Sequence, residues 1–195
     1  MEVITMAIMI EILGSPDAGK TTALKTISER LTHKGIPNEF IIETRGKNLF
    51  SKTERGTLSY NVKIGDITCN RIYKILNSTS AEIILIDKGF VDYLYFIDYY
   101  LQIGKCTQKE ANEAMHLYDN MCLMPDKIII LTCNPEIATK RCKDAPETRT
   151  VKIQNSINSL NAFFQKWTLT PKFLIDTSYM SKEEVVIAIE SVIDL

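Results

Sequence analysis

The run from Ile8 to His33, IMIEILGSPDAGKTTALKTISERLTH, decides how this chain folds. Ile8 to Leu13 is apolar and rich in β-branched residues, the pattern of a strand buried on both sides. Lys20 to His33 reads as a helix that stops at Gly35, a residue suited to a left-handed cap. Between them GSPDAGKTT fills every fixed position of G-x-x-x-x-G-K-[ST]. Gly14 and Gly19 let the backbone turn back on itself, so that successive N–H groups point into one concavity, and the helix N-terminus adds its partial positive charge there. Gly14, Ser15, Pro16, Asp17, Ala18, Gly19, Lys20, Thr21 and Thr22 are therefore the expected cradle for the phosphates of a nucleoside triphosphate. Lys20 is expected to reach the β and γ phosphates, and the Thr21 hydroxyl to ligate the Mg2+ that bridges them. A glycine turn matching by accident is disfavoured by the strand and helix flanks, and by a chain with only eight glycines.

Working outward, four more apolar runs follow: Phe40 to Glu43, Ile83 to Asp87, Lys127 to Thr132 and Phe173 to Asp176. Helix-compatible segments separate them. That alternation predicts an α/β fold, a five-stranded parallel sheet with helices on both faces in three layers. Thr107 with Glu110 predicts a capping box for a helix reaching about Leu123, and Ser181 with Glu184 predicts another for the last helix. Asn134 followed by Pro135 reads as a cap and a first helical position. Weaker periodicity marks helices near Asp66 to Asn77, Phe90 to Ile103 and Thr150 to Trp167. Thr44 to Leu58 and Lys143 to Arg149 are the expected mobile loops. Without repeats or a linker, residues 1–195 read as one domain with a short lid at about 141–150.

Composition narrows the function. The chain has 195 residues, 45% hydrophobic and 24% charged, with a formal net charge of -1. Nucleic-acid binders usually carry a basic excess to replace phosphate counterions, so a small-molecule substrate is expected and nucleic acid is not. No apolar run approaches the roughly 18 to 20 residues that cross a bilayer, and the N-terminal stretch lacks the early cations and cleavage site of a signal peptide. The expectation is a cytoplasmic protein with no membrane partner. Five widely spaced cysteines without a Cys-x-x-Cys pair read as reduced thiols. Tyr93, Tyr95, Phe96, Tyr99 and Tyr100 fall on one predicted helix at the spacing that packing requires, so core or homodimer contact is their first reading and stacking on an acceptor ring the alternative.

The third strand ends in Asp87, where open α/β sheets gather ligands outside their carboxyl edge. Asp87 is the expected magnesium carboxylate, and a candidate base for the acceptor oxygen. The phosphate loop, the pair Asp87 and Lys88, and the ending FLIDTSYMSKEEV together resemble the thymidylate kinase and deoxynucleoside kinase group of phosphate-loop kinases. The resemblance implies transfer of the terminal phosphoryl group of ATP, with Mg2+, to a nucleoside or nucleoside monophosphate. It implies that Arg45, after Thr44, and Arg71, in CNRIYKIL, meet the acceptor, with Lys88 on the same side. It also implies that Arg141 and Arg149, in PEIATKRCKDAPETR, are lid arginines that clamp the transferring phosphate or cover the adenine. The loop from Asp176 to Tyr179, with Asp176 and Thr177, is implied to meet the nucleotide base. Thymidylate kinases generally have Glu-Pro-Gly where Gly46 and Lys47 follow Arg45, and arginine where Lys88 stands. An acceptor other than thymidylate thus stays open, as do a regulatory ATPase and a kinase of the shikimate or gluconate type. A GTPase is disfavoured, because LTCNPEIATK holds no Asn-Lys-x-Asp reader.

Overall fold

The structure, a computed structural model, describes residues 7–42, 54, 56–117, 119, 123–142, 145–146 and 148–194. In chain order its elements are β1 (Ile8–Gly14), α1 (Lys20–His33), β2 (Asn38–Ile41), α2 (Leu58–Leu76), β3 (Ile83–Asp87), α3 (Phe90–Gln102), α4 (Gln108–His116), β4 (Lys127–Thr132), α5 (Pro135–Arg141), α6 (Arg149–Gln165), β5 (Lys172–Asp176) and α7 (Lys182–Ile193). They gather into two compact units. The first comprises Met1–Ile41, Ser80–Asp87 and Pro125–Leu195; the second comprises Ile42–Thr79 and Lys88–Met124.

The first unit holds the sheet. All five strands are parallel, in the order β2-β3-β1-β4-β5, so the chain leaves β1 to build one side and returns to build the other. β1 pairs Ile10 with Leu85 on one side and with Lys127 on the other. One layer of the core sets Ile10, Ile12 and Leu85 against Leu24 and Ile27 of α1 and Ile189 of α7. Arg30 ties the same two helices at their rim, with Nη1 3.0 Å from Glu190 Oε2 and Nη2 2.6 Å from Glu183 Oε1. The α/β expectation therefore holds, with β3 buried at every position.

The outer strands differ from the continuous burial expected. In β5, Lys172, Leu174 and Asp176 are exposed while Phe173 and Ile175 are half-buried. An edge strand has one bonded neighbour, and here only one of its faces is covered. β2 covers Asn38–Ile41, two residues earlier than expected, because pairing begins at Asn38 against Ile83; Glu43 lies outside the described residues.

The second unit contributes three helices among the described residues. α2 begins at Leu58, earlier than the expected Asp66, because the Thr57 hydroxyl accepts from the backbone N–H of Tyr60 at 3.2 Å. Its buried stripe runs through Asn61, Ile64, Gly65, Thr68 and Ile72. Two polar residues and a glycine in that stripe concealed the hydrophobic period. α2 packs against α3, where Asn61 Nδ2 donates to the carbonyl of Tyr93 at 3.3 Å. α4 starts from the expected Thr107–Glu110 capping box but ends at His116, short of Leu123.

The other helix ends match their signals. α1 closes with Gly35 N donating to Thr32 O at 3.0 Å and Ile36 N to Leu31 O at 2.9 Å, the double bond of a Schellman turn. Asn134 Oδ1 accepts from Glu136 N at 2.9 Å with Pro135 at the first position of α5. No described helix is long and apolar enough to cross a membrane.

Candidate active site

The loop between β1 and α1 is anchored to the sheet before it turns. Ser15 N donates to Leu131 O at 2.9 Å, which brings the backbone of Gly14 against β4. Gly19 then caps α1 in the left-handed region, at φ 94. A glycine cap offers no side-chain acceptor, and the first turn of α1 holds no acidic residue. The leading amides of α1 are thus left for an anion, aided by the helix dipole. Four other helices present the opposite arrangement: Thr57, Thr107, Asn134 and Ser181 each cap their own helix with a side chain.

Lys20 is buried, and its ammonium donates to the carbonyl oxygens of Ser15 at 2.7 Å and Gly14 at 3.1 Å. The cation therefore sits on the loop itself. The Thr21 hydroxyl donates to Asp87 Oδ2, joining the helix start to the end of β3. Asp87 is 3% exposed, and among the described residues nothing reaches its Oδ1. A buried carboxylate oxygen without a partner is costly, and the hydroxyl beside it adds a second oxygen of the kind magnesium takes. Thr21 and Asp87 fit a magnesium ion on these grounds.

Arg141, at the end of α5, and Arg149, at the start of α6, converge on the same loop. Arg149 Nε donates to Asp17 Oδ2 at 3.1 Å, and Nη2 donates to the same oxygen. The hydrogen bond to Asp17 raises the Arg149 guanidinium above its already high ordinary value, against the opposing effect of burial. Arg141 Nη2 donates to Thr177 O at 2.8 Å, and Nη1 lies 3.2 Å from Thr177 Oγ1 and 3.4 Å from Asp17 O. Thr177 is fully buried, with its hydroxyl 3.1 Å from Ala18 O and 3.0 Å from Thr132 O. One side chain thus links the loop, the end of β4 and Arg141. Asp176 is exposed, and its Oδ1 accepts from the backbone N–H of Ser178 at 3.0 Å and from the Ser178 hydroxyl.

A cavity of about 600 Å³ opens beside the loop, walled by Asp17, Thr22, Thr26, Arg141, Met180 and Val186 among others. Its mixture of polar and apolar lining residues, Arg141 and Thr22 with Met180 and Val186, suits a planar ring attached to phosphates. Thr26, Met180 and Val186 were missed in the sequence. Thr26 carried no motif, and the Ser181 cap could have placed Met180 just ahead of α7.

Of the expected acceptor residues, two are described. Arg71 is on the exposed side of α2, away from its buried stripe, in the second unit. Lys88 belongs to that unit too and adopts a positive φ of 59. Arg45 lies outside the described residues.

No family model matches this sequence, and no curated protein matches it. Solved structures do. The chain is similar to a deoxyadenosine kinase from M. mycoides with bound dATP, at 20% identity and a TM-score of 0.68 over 96% of this chain and 100% of that one. The same enzyme with products dCMP and a flexible dCDP gives 19% identity and a TM-score of 0.71, covering 96% and 99% of the two chains. With bound dCTP the figures are 19%, 0.69, 96% and 100%. At this identity the likeness is one of fold, and the match runs along nearly the whole of both chains.

Proposed function

We propose that this chain is a phosphate-loop kinase that moves the terminal phosphoryl group of ATP to a small acceptor, a nucleoside or a nucleoside monophosphate. The observation that carries the reading is the pairing of the Thr21 hydroxyl with Asp87 beside an uncapped helix start and a buried Lys20. Phosphoryl transfer asks little covalent chemistry of a protein, so positioning and charge neutralisation supply most of the catalysis.

The amides that follow Gly14 and those at the start of α1 would hold phosphate oxygens. Lys20 would exchange the carbonyls of Gly14 and Ser15 for phosphate, a stronger acceptor. Thr21 and Asp87 would hold magnesium, which would supply positive charge to neutralise the phosphates. Arg141 lines the cavity and would cover the nucleotide base, and Arg149, which bonds to Asp17 on the loop, would neutralise the transferring group. On the acceptor side, Arg45, Arg71 and Lys88 stay as the residues proposed from family resemblance. The fold likeness to deoxyadenosine kinases favours a deoxynucleoside acceptor over thymidylate.

Labelled ATP offered with deoxyadenosine, deoxycytidine, thymidine and their monophosphates tests the reading. Label should move to one of these compounds, and transfer should vanish in Lys20→Met and Asp87→Asn proteins that keep their fold. Release of free phosphate alone, with every acceptor unlabelled, would overturn the acceptor assignment.

A further inference from the structure

Asp17 is a carboxylate on a loop whose other features attract anions. Its backbone sits in the left-handed region at φ 58, its side chain lines the cavity, and its Oδ2 receives both donors from Arg149. Like charge next to a phosphate site weakens that site, unless the carboxylate is engaged by something else.

The other member of the pair makes the engagement specific. Arg149 is the first residue of α6, a helix of 17 residues whose N-cap Thr148 forms no side-chain cap and whose first turn has no acid. A cation at a helix N-terminus is opposed by the dipole, and nothing on α6 itself compensates. Asp17 supplies that negative charge from across the loop, and the paired side chains are 28% and 30% exposed, enough shielding for the interaction to matter.

We infer that Asp17 is a positioning residue whose carboxylate competes with the triphosphate for Arg149. Filling the loop then exchanges one ion pair for another, and polyphosphate affinity is set below what the cations alone provide. A terminal phosphate carries close to two charges against one on Asp17, so the exchange runs towards the ligand. This rests on the phosphate-loop reading above.

The test is a double-mutant cycle, with tripolyphosphate titrated calorimetrically into the full chain. The proteins are the wild type, Asp17→Asn, Arg149→Gln and the double variant, each checked by circular dichroism. Asn is chosen because it tolerates positive φ, and Asp17→Gly serves if that variant fails to fold. Asp17→Asn should tighten binding by roughly threefold to tenfold. Without Arg149, the same substitution should gain less than about twofold, because only direct repulsion of the ligand remains. Equal or weaker binding by Asp17→Asn overturns the inference, and so does an equal gain in both backgrounds. If the wild type and Lys20→Met alike fail to bind tripolyphosphate, the phosphate-loop reading falls and takes the inference with it. That outcome is distinct from failure of the exchange alone.

Discussion

A Cβ built on Gly14 would stand 1.9 Å from the carbonyl oxygen of Leu131, on a backbone with φ 139. Gly19 meets no such obstacle, with nothing within 4 Å of a Cβ built there, and its constraint is its positive φ alone. The two glycines of one motif are thus required for different reasons, close approach at the first and backbone conformation at the second. Gly14→Ala must push β1 from β4 or break the bond from Ser15 to Leu131, and should destabilise the fold by about 2 to 4 kcal/mol. The midpoint of urea unfolding measures this, and an unchanged midpoint would show that the strands separate without cost. The residues of the motif were legible because the loop's chemistry requires those types at that spacing. The occupation of Asp17 by Arg149 was not, because 132 positions separate the pair and no local pattern connects them.

Helix starts divide by purpose at the level of elements. α4 and α7 carry full capping boxes, whereas α1 has neither a side-chain cap nor an early acid. In α7 the Glu184 carboxylate accepts from Ser181 N at 2.7 Å, and that backbone bond, then the one from the Ser181 side chain, lowers its pKa from 4.5. A lowered folded pKa gives stability that is present above the ordinary carboxylate range and lost as pH falls through the folded value. The melting-temperature deficit of Glu184→Ala relative to wild type should therefore be larger at pH 7 than at pH 3. An equal deficit at both would remove the charge from the account. Ser181→Ala should itself cost about 1 kcal/mol at neutral pH. Both boxes were legible, since a cap and its acid lie three residues apart. The early start of α2 was hidden, because Asn61, Gly65 and Thr68 sit where apolar residues would have marked the period.

The molecule as a whole is a parallel sheet unit into which two segments are inserted, after β2 and after β3. The loop, Asp87, Arg141, Arg149 and the cavity all belong to the sheet unit, so a bound nucleotide should stabilise it by mass action. With MgATP at a hundredfold excess over its dissociation constant, the gain is about 2.7 kcal/mol, a rise in melting temperature of roughly 5 to 10 °C. Thermal melts should show that rise in the wild type and not in Lys20→Met; an equal rise in both would move nucleotide binding away from the loop. Sequence alone determined the α/β class and the strand-loop-helix that begins it, and singled out Lys20, Thr21 and Asp87 as candidates, because burial period, glycine spacing and strand ends are local signals. Tertiary structure decided that Thr21 meets Asp87, that Arg141 and Arg149 reach Asp17 and Thr177, and that β5 is half exposed at the edge. Those outcomes depend on which strands become neighbours, and strand order follows from packing the whole chain, which no single segment encodes.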